Sequence, residues 1–208
     1  YLTGIAGTYT VANIQAPYGH DTKGPGYSAG WALVIIYEDL SQPSRNISLF
    51  DGFSVVAVNG VSPVINISGF KTVPTGPVRA KLGFAALEGE SGLDGDVIGM
   101  KNTSNTWTIL STSGRATNNF FNSSITNENG VNIDRNPAST NLLGFDAGIM
   151  DLPNNSKNLL PNNATSTSIS VGTVNDSYYP FMFAFSVEVV EPHIVMEKRV
   201  YKGSQDIT

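Results

Sequence analysis

Four carboxylates in one glycine-rich segment are the residues best suited to chemistry. Glu88, Glu90, Asp94 and Asp96 lie within nine residues that also contain three glycines. Calcium binds hard oxygen ligands at about 2.4 Å, and a glycine-rich turn can bring such ligands together. Asp51, in a Phe-Asp-Gly-Phe sequence, is a further candidate ligand. The spacing is not that of an EF-hand, so the alternatives are a calcium site and a solvated acidic turn between strands.

Two arrangements resemble parts of hydrolase active sites. Ser28 stands in a Gly-Tyr-Ser-Ala-Gly sequence, which matches the nucleophile elbow of serine hydrolases. That elbow needs a strand before the serine and a helix after it, whereas here a loop precedes Ser28 and a predicted strand follows. His20 and His193 are the only histidines that can serve as its base. Glu88 and Asp96 can also be considered a glycosidase pair, but sequence gives no separation for them. We therefore expect no catalytic activity.

Seven Asn-x-Ser/Thr sequons occur along the chain. Each is a potential acceptor of an N-linked glycan in a secreted protein. Two of them lie in alternating segments where the asparagine is expected to point away from the apolar face. The sequons therefore predict a glycoprotein, with attachment at Asn46, Asn66, Asn102, Asn122, Asn154, Asn163 and Asn175.

The composition limits the possible partners. The 208-residue chain has a net charge of −5, and its 12 Lys and Arg are scattered, so it carries no basic stripe for nucleic acid. Only 14% of residues are charged, against about 25% in ordinary soluble domains, which is typical of secreted β proteins. There is no Cys, which excludes a disulfide framework. No apolar stretch approaches the roughly 20 residues of a membrane span.

Alternation of apolar and polar residues predicts strands throughout, and no segment keeps a helical period. We expect an all-β antiparallel β-sandwich, of the jelly-roll or Ig-like type. The strand candidates are residues 8–14, 31–38, 46–58, 64–70, 78–87, 106–111, 166–174, 181–190 and 194–201.

Two of these candidates are apolar enough to lie in the core. Residues 30–37 are almost continuously apolar, as in a strand covered on both faces, and residues 181–189 alternate. Residues 112–165 are instead rich in Asn, Ser and Thr. We expect them to form one long loop excursion packed onto the sandwich, with a short helix near residues 148–152.

The chain divides near a Glu-Pro-His sequence at residues 191–193. A proline at this position is typical of a boundary between two structural units. We expect a β-sandwich surface domain over residues 1–192. Residues 193–208 are expected to be a linker with the first strand of a following repeat, or a donor strand for another protomer.

Several ordered motifs resemble a known kind of surface domain. They are the Gly-Trp-Ala-Leu-Val-Ile-Ile-Tyr-Glu-Asp sequence at residues 30–39 and the sequences at residues 50–53, 118–123, 143–147 and 196–200. The chain resembles the domain that precedes tandem conserved β-sandwich repeats in very large bacterial and archaeal cell-surface, adhesin-like proteins. The resemblance implies an extracellular, cell-surface location and a sandwich architecture. It supplies no active site to transfer to particular residues.

These observations favour a non-catalytic structural or adhesive module, a stalk or adhesin. One alternative is a subunit of an extracellular filament assembled by strand exchange, with residues 193–208 as the donor. Another is a carbohydrate-binding module in which exposed aromatic residues, such as Tyr178 with Tyr179 or Tyr18 with Tyr27, stack on sugars. The expected partners are neighbouring domains or protomers of the same surface protein, and glycans. Ca²⁺ is the one cofactor considered.

Overall fold

The structure is a computed structural model that describes residues 7–14, 28–190 and 198–206. In this part of the chain the secondary structure consists of strands, without a helix. The strands are β1 (Arg45–Asp51), β2 (Val64–Ser68), β3 (Ala80–Gly89), β4 (Asp96–Lys101), β5 (Trp107–Ile109), β6 (Ile125–Thr126), β7 (Gly144–Asp151), β8 (Ser166–Thr173), β9 (Tyr179–Glu188), β10 (Tyr201–Lys202) and β11 (Gln205–Asp206).

Two sheets pack face to face as a β-sandwich. The first has the strand order β1-β9-β3-β7-β6 and the second has the order β2-β8-β4-β5. All pairs in both sheets are antiparallel except β6 with β7, which is parallel. If the short strand β6 is set aside, each sheet has four strands. Their order, β1-β9-β3-β7 in one sheet and β2-β8-β4-β5 in the other, is that of a jelly-roll. The predicted all-β antiparallel sandwich is therefore confirmed.

The core lies between the two sheets and follows the period-two alternation of the strands. In β9, Phe183, Phe185 and Val187 are buried, whereas the residues between them are partly exposed. In β3, Phe84 pairs with Phe183 across the sheet, and Leu82 pairs with Phe185. The second sheet contributes further fully buried side chains to the same cluster, including Ile98, Met100 and Ile169.

The prediction that residues 30–37 form a core strand is wrong. Residues 31–37 form no strand, and their large side chains are exposed, with Ile36 and Tyr37 at 57% and 70%. An apolar pattern favours a strand only where a hydrogen-bonding neighbour is present, and this segment pairs with none of the described strands. Residues 8–14 are also exposed and outside any strand.

The prediction of a helix near residues 148–152 is also wrong. Gly144–Asp151 forms β7, which pairs with β3 along its whole length. Asp146 and Met150 face inward and are buried, which is the alternation of a strand. The excursion predicted for residues 112–165 is therefore interrupted by a full strand of the first sheet. β4 was not among the predicted strands, and it begins at Asp96, the last residue of the acidic segment.

The described C-terminal residues form a small hairpin. β10 and β11 pair with each other around Gly203, which has a φ of 64°. Half of the predicted strand 194–201 lies outside the described residues, so its pairing with a following repeat or another protomer remains a prediction. In the part of the chain that the structure describes, no helix has the length and apolar character needed to cross a membrane.

Candidate functional site

One end of the sandwich is organised around a buried arginine. Arg115 follows β5 in a loop, and its side chain is fully buried. Its Nη1 donates to the Phe120 carbonyl at 2.6 Å and to Asp146 Oδ1 at 2.8 Å, and its Nε donates to Thr126 Oγ1 at 3.0 Å. Its Nη2 donates to two more carbonyls, those of Ser124 and Ala147. The five N–H groups of a guanidinium are thereby all used.

Asp146 completes this arrangement from the middle of β7. Its carboxylate accepts the backbone N–H groups of Ser123 and Ser124 at 3.0 and 3.1 Å, in addition to Arg115. Burial raises the pKa of Asp146, and the charge of Arg115 acts in the opposite direction. Burial also lowers the pKa of Arg115, against the effect of Asp146. Together the two side chains fasten the loop after β5 to the first sheet.

Aromatic rings surround the buried guanidinium. Its Cζ lies 4.8 Å from the ring centroid of Phe84 and 5.6 Å from that of Phe120. Phe120 packs on Phe121 at 5.2 Å, and Phe121 packs on Tyr178 at 4.6 Å. Phe120, Phe121 and Tyr178 are all fully buried, so the prediction that Tyr178 is an exposed residue that stacks on sugars is wrong.

Asp96 is the first residue of β4 and is fully buried. Its Oδ2 accepts the backbone N–H of Phe121, while its Oδ1 has no hydrogen-bond partner among the described residues. Burial raises the pKa of Asp96 to about 6, and the nearby charge of Asp146 adds to that rise.

Asp176 lies in the turn between β8 and β9 and is 3% exposed. Its Oδ1 accepts the N–H of Ser177, and its Oδ2 has no hydrogen-bond partner among the described residues. Burial raises the pKa of Asp176 to about 7, with smaller contributions from the charges of Asp96, Glu90 and Glu88. The sequence reading did not identify Asp176, because its neighbours Asn175 and Ser177 suggested only a sequon.

The four predicted calcium ligands differ in their exposure. Glu88 and Asp96 are buried, whereas Glu90 and Asp94 are exposed. Glu88 has a φ of 71° at the bulge near the end of β3. Asp94 accepts the side-chain amides of Asn118 and Asn119 at 3.1 and 3.3 Å. Nowhere in the described ranges do three or more His, Cys, Asp or Glu side chains come together in a way that can hold a metal ion.

The hydrolase elbow can be followed only in part. Ser28 is described, and its Oγ is buried without a hydrogen-bond partner among the described residues. It packs beside Gly144, where a Cβ would lie 3.3 Å from the Ser28 Oγ. No helix follows Ser28, since residues 28–39 are irregular. His20 and His193 lie outside the described residues.

The sequon asparagines have very different environments. Asn66, Asn163 and Asn175 are exposed, and Asn46, Asn102 and Asn122 are partly buried. The Asn102 amide nitrogen donates to the hydroxyls of Thr106 and Thr108 at 2.8 and 3.1 Å.

Asn154 is the exception among the sequons, because it is 4% exposed. Its amide nitrogen donates to the carbonyls of Val78 and Leu160, and its oxygen accepts the N–H groups of Leu159 and Leu160. A glycan on this nitrogen is incompatible with the described packing, so we expect Asn154 to be unmodified in the folded protein.

A polar groove of about 650 Å³ crosses one end of the second sheet. Its walls come from β2, β8 and the loops beside them, and they are mainly amides and hydroxyls. Among the residues that line it, Lys101 is the charged one, and its Nζ lies 5.7 Å from the ring centroid of the half-exposed Trp107. Three sequon asparagines also line the groove: Asn66, Asn102 and Asn163.

Comparisons with family models, with curated proteins and with solved structures found no match to this chain.

Proposed function

We propose that this chain is a non-catalytic structural or adhesive module of an extracellular cell-surface protein. The main support for the proposal is that the buried polar side chains hydrogen-bond to other parts of the fold. Arg115 directs all its donors to carbonyls, one hydroxyl and Asp146, so this network holds a loop in place. A loop held on a sandwich suits a protein that presents a binding surface, because binding residues are often carried on loops that a scaffold positions.

The motif resemblance and the composition support the same proposal. The motifs at residues 30–39 and 196–200 resemble those of large surface proteins, and the low charged fraction is typical of secreted β proteins. The exposed apolar residues 31–37 are suited to contact with a neighbouring domain or protomer, because large exposed apolar patches mark interaction sites.

An attachment assay tests the adhesive role. Fab fragments against the folded chain are added to cells that produce the parent protein, and attachment to a surface or to other cells is counted. We expect Fab fragments that bind this chain to reduce attachment several-fold, with Fab fragments against an unrelated surface protein as the control. Unchanged attachment at saturating Fab would contradict an adhesive role.

The polar groove favours a second candidate, a carbohydrate-binding module. Its amide and hydroxyl walls can exchange hydrogen bonds with sugar hydroxyls, and Trp107 stands nearby as a stacking surface. N-linked glycans on Asn66 or Asn163 would occupy the same groove. A chain that is glycosylated at these asparagines therefore cannot bind a free sugar there.

A glycan array tests this candidate. We expect binding by the unglycosylated chain to fall at least tenfold in Trp107→Ala, while Val174→Ala, an exposed change at the end of β8, leaves it unchanged. An array without signal for the wild-type chain would remove the carbohydrate candidate.

A further inference from the structure

Two buried carboxylates in this protein each carry an oxygen without a described partner. They are Asp96 Oδ1 and Asp176 Oδ2, on side chains that are 0% and 3% exposed. Each carboxylate uses its other oxygen to accept one backbone N–H. A buried ionised carboxylate is strongly unfavourable unless it is paired, fully hydrogen-bonded or bound to a metal. These two groups therefore require a further partner when they are ionised.

The backbone brings together the two chain segments that carry Asp96 and Asp176. Asp96 pairs with Thr173 at the end of β8, and the Val174 N–H donates to the Gly95 carbonyl at 3.1 Å. A Cβ on Gly95 would come within 2.8 Å of the Asn175 Cβ, so the two chain segments touch directly before Asp96 and Asp176. The charge of Asp96 contributes to the raised pKa of Asp176, which agrees with this proximity.

The nearby cationic group is already committed. Arg115 uses its five N–H groups on other oxygens, and the described ion pairs include neither Asp96 nor Asp176. The other charges that act on Asp176 come from Glu88 and Glu90 and are negative. The charges of Asp96 and Arg115 do act on each other, but the charges that act on Asp176 are all negative and favour a cation there.

We propose that Asp96 and Asp176 together bind one Ca²⁺ ion. Carboxylate oxygens are hard ligands that suit Ca²⁺, which completes its six to eight ligands with main-chain carbonyls and water. With two carboxylates and no third acidic ligand gathered at one point, the affinity is expected in the weak range of extracellular modules, about 10⁻⁴–10⁻³ M. This site shares Asp96 with the predicted one but has Asp176 in place of Glu88, Glu90 and Asp94. It does not depend on the proposed surface function.

Terbium luminescence tests the site in the wild-type chain. Tb³⁺ substitutes for Ca²⁺, and Tyr178 can sensitise it because the charges of Asp96 and Asp176 both act on this buried tyrosine. We expect tyrosine-excited Tb³⁺ emission that CaCl₂ displaces at about 10⁻⁴–10⁻³ M, whereas equimolar MgCl₂ does not displace it. A wild-type chain without such emission, or with emission that Ca²⁺ leaves unchanged, would overturn the proposal.

Variants then assign the ligands. We expect Asp176→Asn to weaken Ca²⁺ displacement at least tenfold, and Asp96→Asn to do the same. Asp94→Asn is the matched control, since Asp94 is exposed and already engaged with two asparagine amides, and it should bind as the wild type does. Asp176→Asn removes an unpartnered charge and is expected to fold, as circular dichroism can verify. Ca²⁺ binding retained in Asp176→Asn would assign the ion to other residues and overturn the proposal.

Discussion

The guanidinium of Arg115 and the carboxylate of Asp146 form an ion pair at 2.8 Å with both side chains fully buried. The two residues lie 31 positions apart and join the loop after β5 to the centre of β7. Buried pairs add little net stability relative to apolar replacements, but loss of one partner leaves an uncompensated charge. The position of this loop therefore depends on both residues being present.

Asp146→Asn tests this relationship. Because the change leaves the Arg115 charge buried without its counter-ion, we expect the free energy of unfolding to fall by about 3–5 kcal/mol. Urea denaturation followed by circular dichroism measures it. The control is Arg79→Ala, whose side chain is 64% exposed and makes a 3.3 Å contact with Glu188, and which should cost no more than about 1 kcal/mol. Equal losses in the two variants would contradict the role of the buried pair.

The stability of the metal-free chain should depend on pH through Asp96 and Asp176. Their pKa values rise from 3.8 to about 6 and about 7 in the folded state. The folded chain thus keeps protons that the unfolded chain releases near pH 4, and this stabilising effect is lost as the pH rises through 6 and 7. We expect the unfolding free energy in EDTA to fall between pH 5 and pH 8.

Asp176→Asn should flatten that pH dependence and unfold at a higher urea concentration than the wild type at pH 8. Asp134→Asn, an exposed carboxylate, serves as the control and should keep the wild-type slope. An unchanged slope in Asp176→Asn would show that Asp176 is not a source of the pH dependence.

Asn154 and Asn155 are adjacent asparagines with opposite environments. Asn154 is buried and makes four hydrogen bonds to main-chain groups, whereas Asn155 is exposed. Asn154→Ala should lower the unfolding free energy by about 1–3 kcal/mol, because it leaves buried main-chain N–H and C=O groups without hydrogen-bond partners. Asn155→Ala should change it by no more than about 0.5 kcal/mol. Thermal unfolding of the two variants measures the difference, and similar melting temperatures would refute the described packing.

Gly89 and Gly92 offer a second matched pair in the acidic turn. A Cβ on Gly89 would collide with Asp146 Oδ2 and the Phe121 carbonyl, whereas a Cβ on Gly92 would meet nothing within 4 Å. We expect Gly89→Ala to destabilise the chain by about 1–3 kcal/mol through overpacking. Gly92→Ala should be nearly neutral. If Gly89→Ala were equally neutral in urea denaturation, the close approach of the turn to β7 would be refuted.

Strands with clear alternation could be predicted from the sequence. β8 and β9 were found within a few residues because β-branched and aromatic residues recur at every second position. β7 was missed because Gly144, Ala147 and Gly148 dilute its apolar pattern, and its pairing with β3 and β6 is what makes it a strand. The segment 31–37 shows the converse, since its apolar pattern is strong but it has no described pairing partner.

The site could be predicted only where its residues are close in the sequence. Asp96 was identified within the acidic turn, but its neighbour Asp176 comes from a turn 80 positions later, which no local pattern connects to it. Arg115 likewise stands in an Asn- and Thr-rich loop where nothing local indicates burial. The antiparallel pairing of β4 with β8 brings together the chain segments that carry Asp96 and Asp176, and it becomes visible only in the folded chain.

Surface labelling of intact cells tests the central proposal most directly. Antibodies against the folded chain are applied to cells that produce the parent protein, before and after permeabilisation, with an antibody against a cytosolic protein as the control. We expect strong labelling of intact cells that permeabilisation does not increase, while the control antibody labels only permeabilised cells. Labelling that appears only after permeabilisation would contradict a cell-surface module.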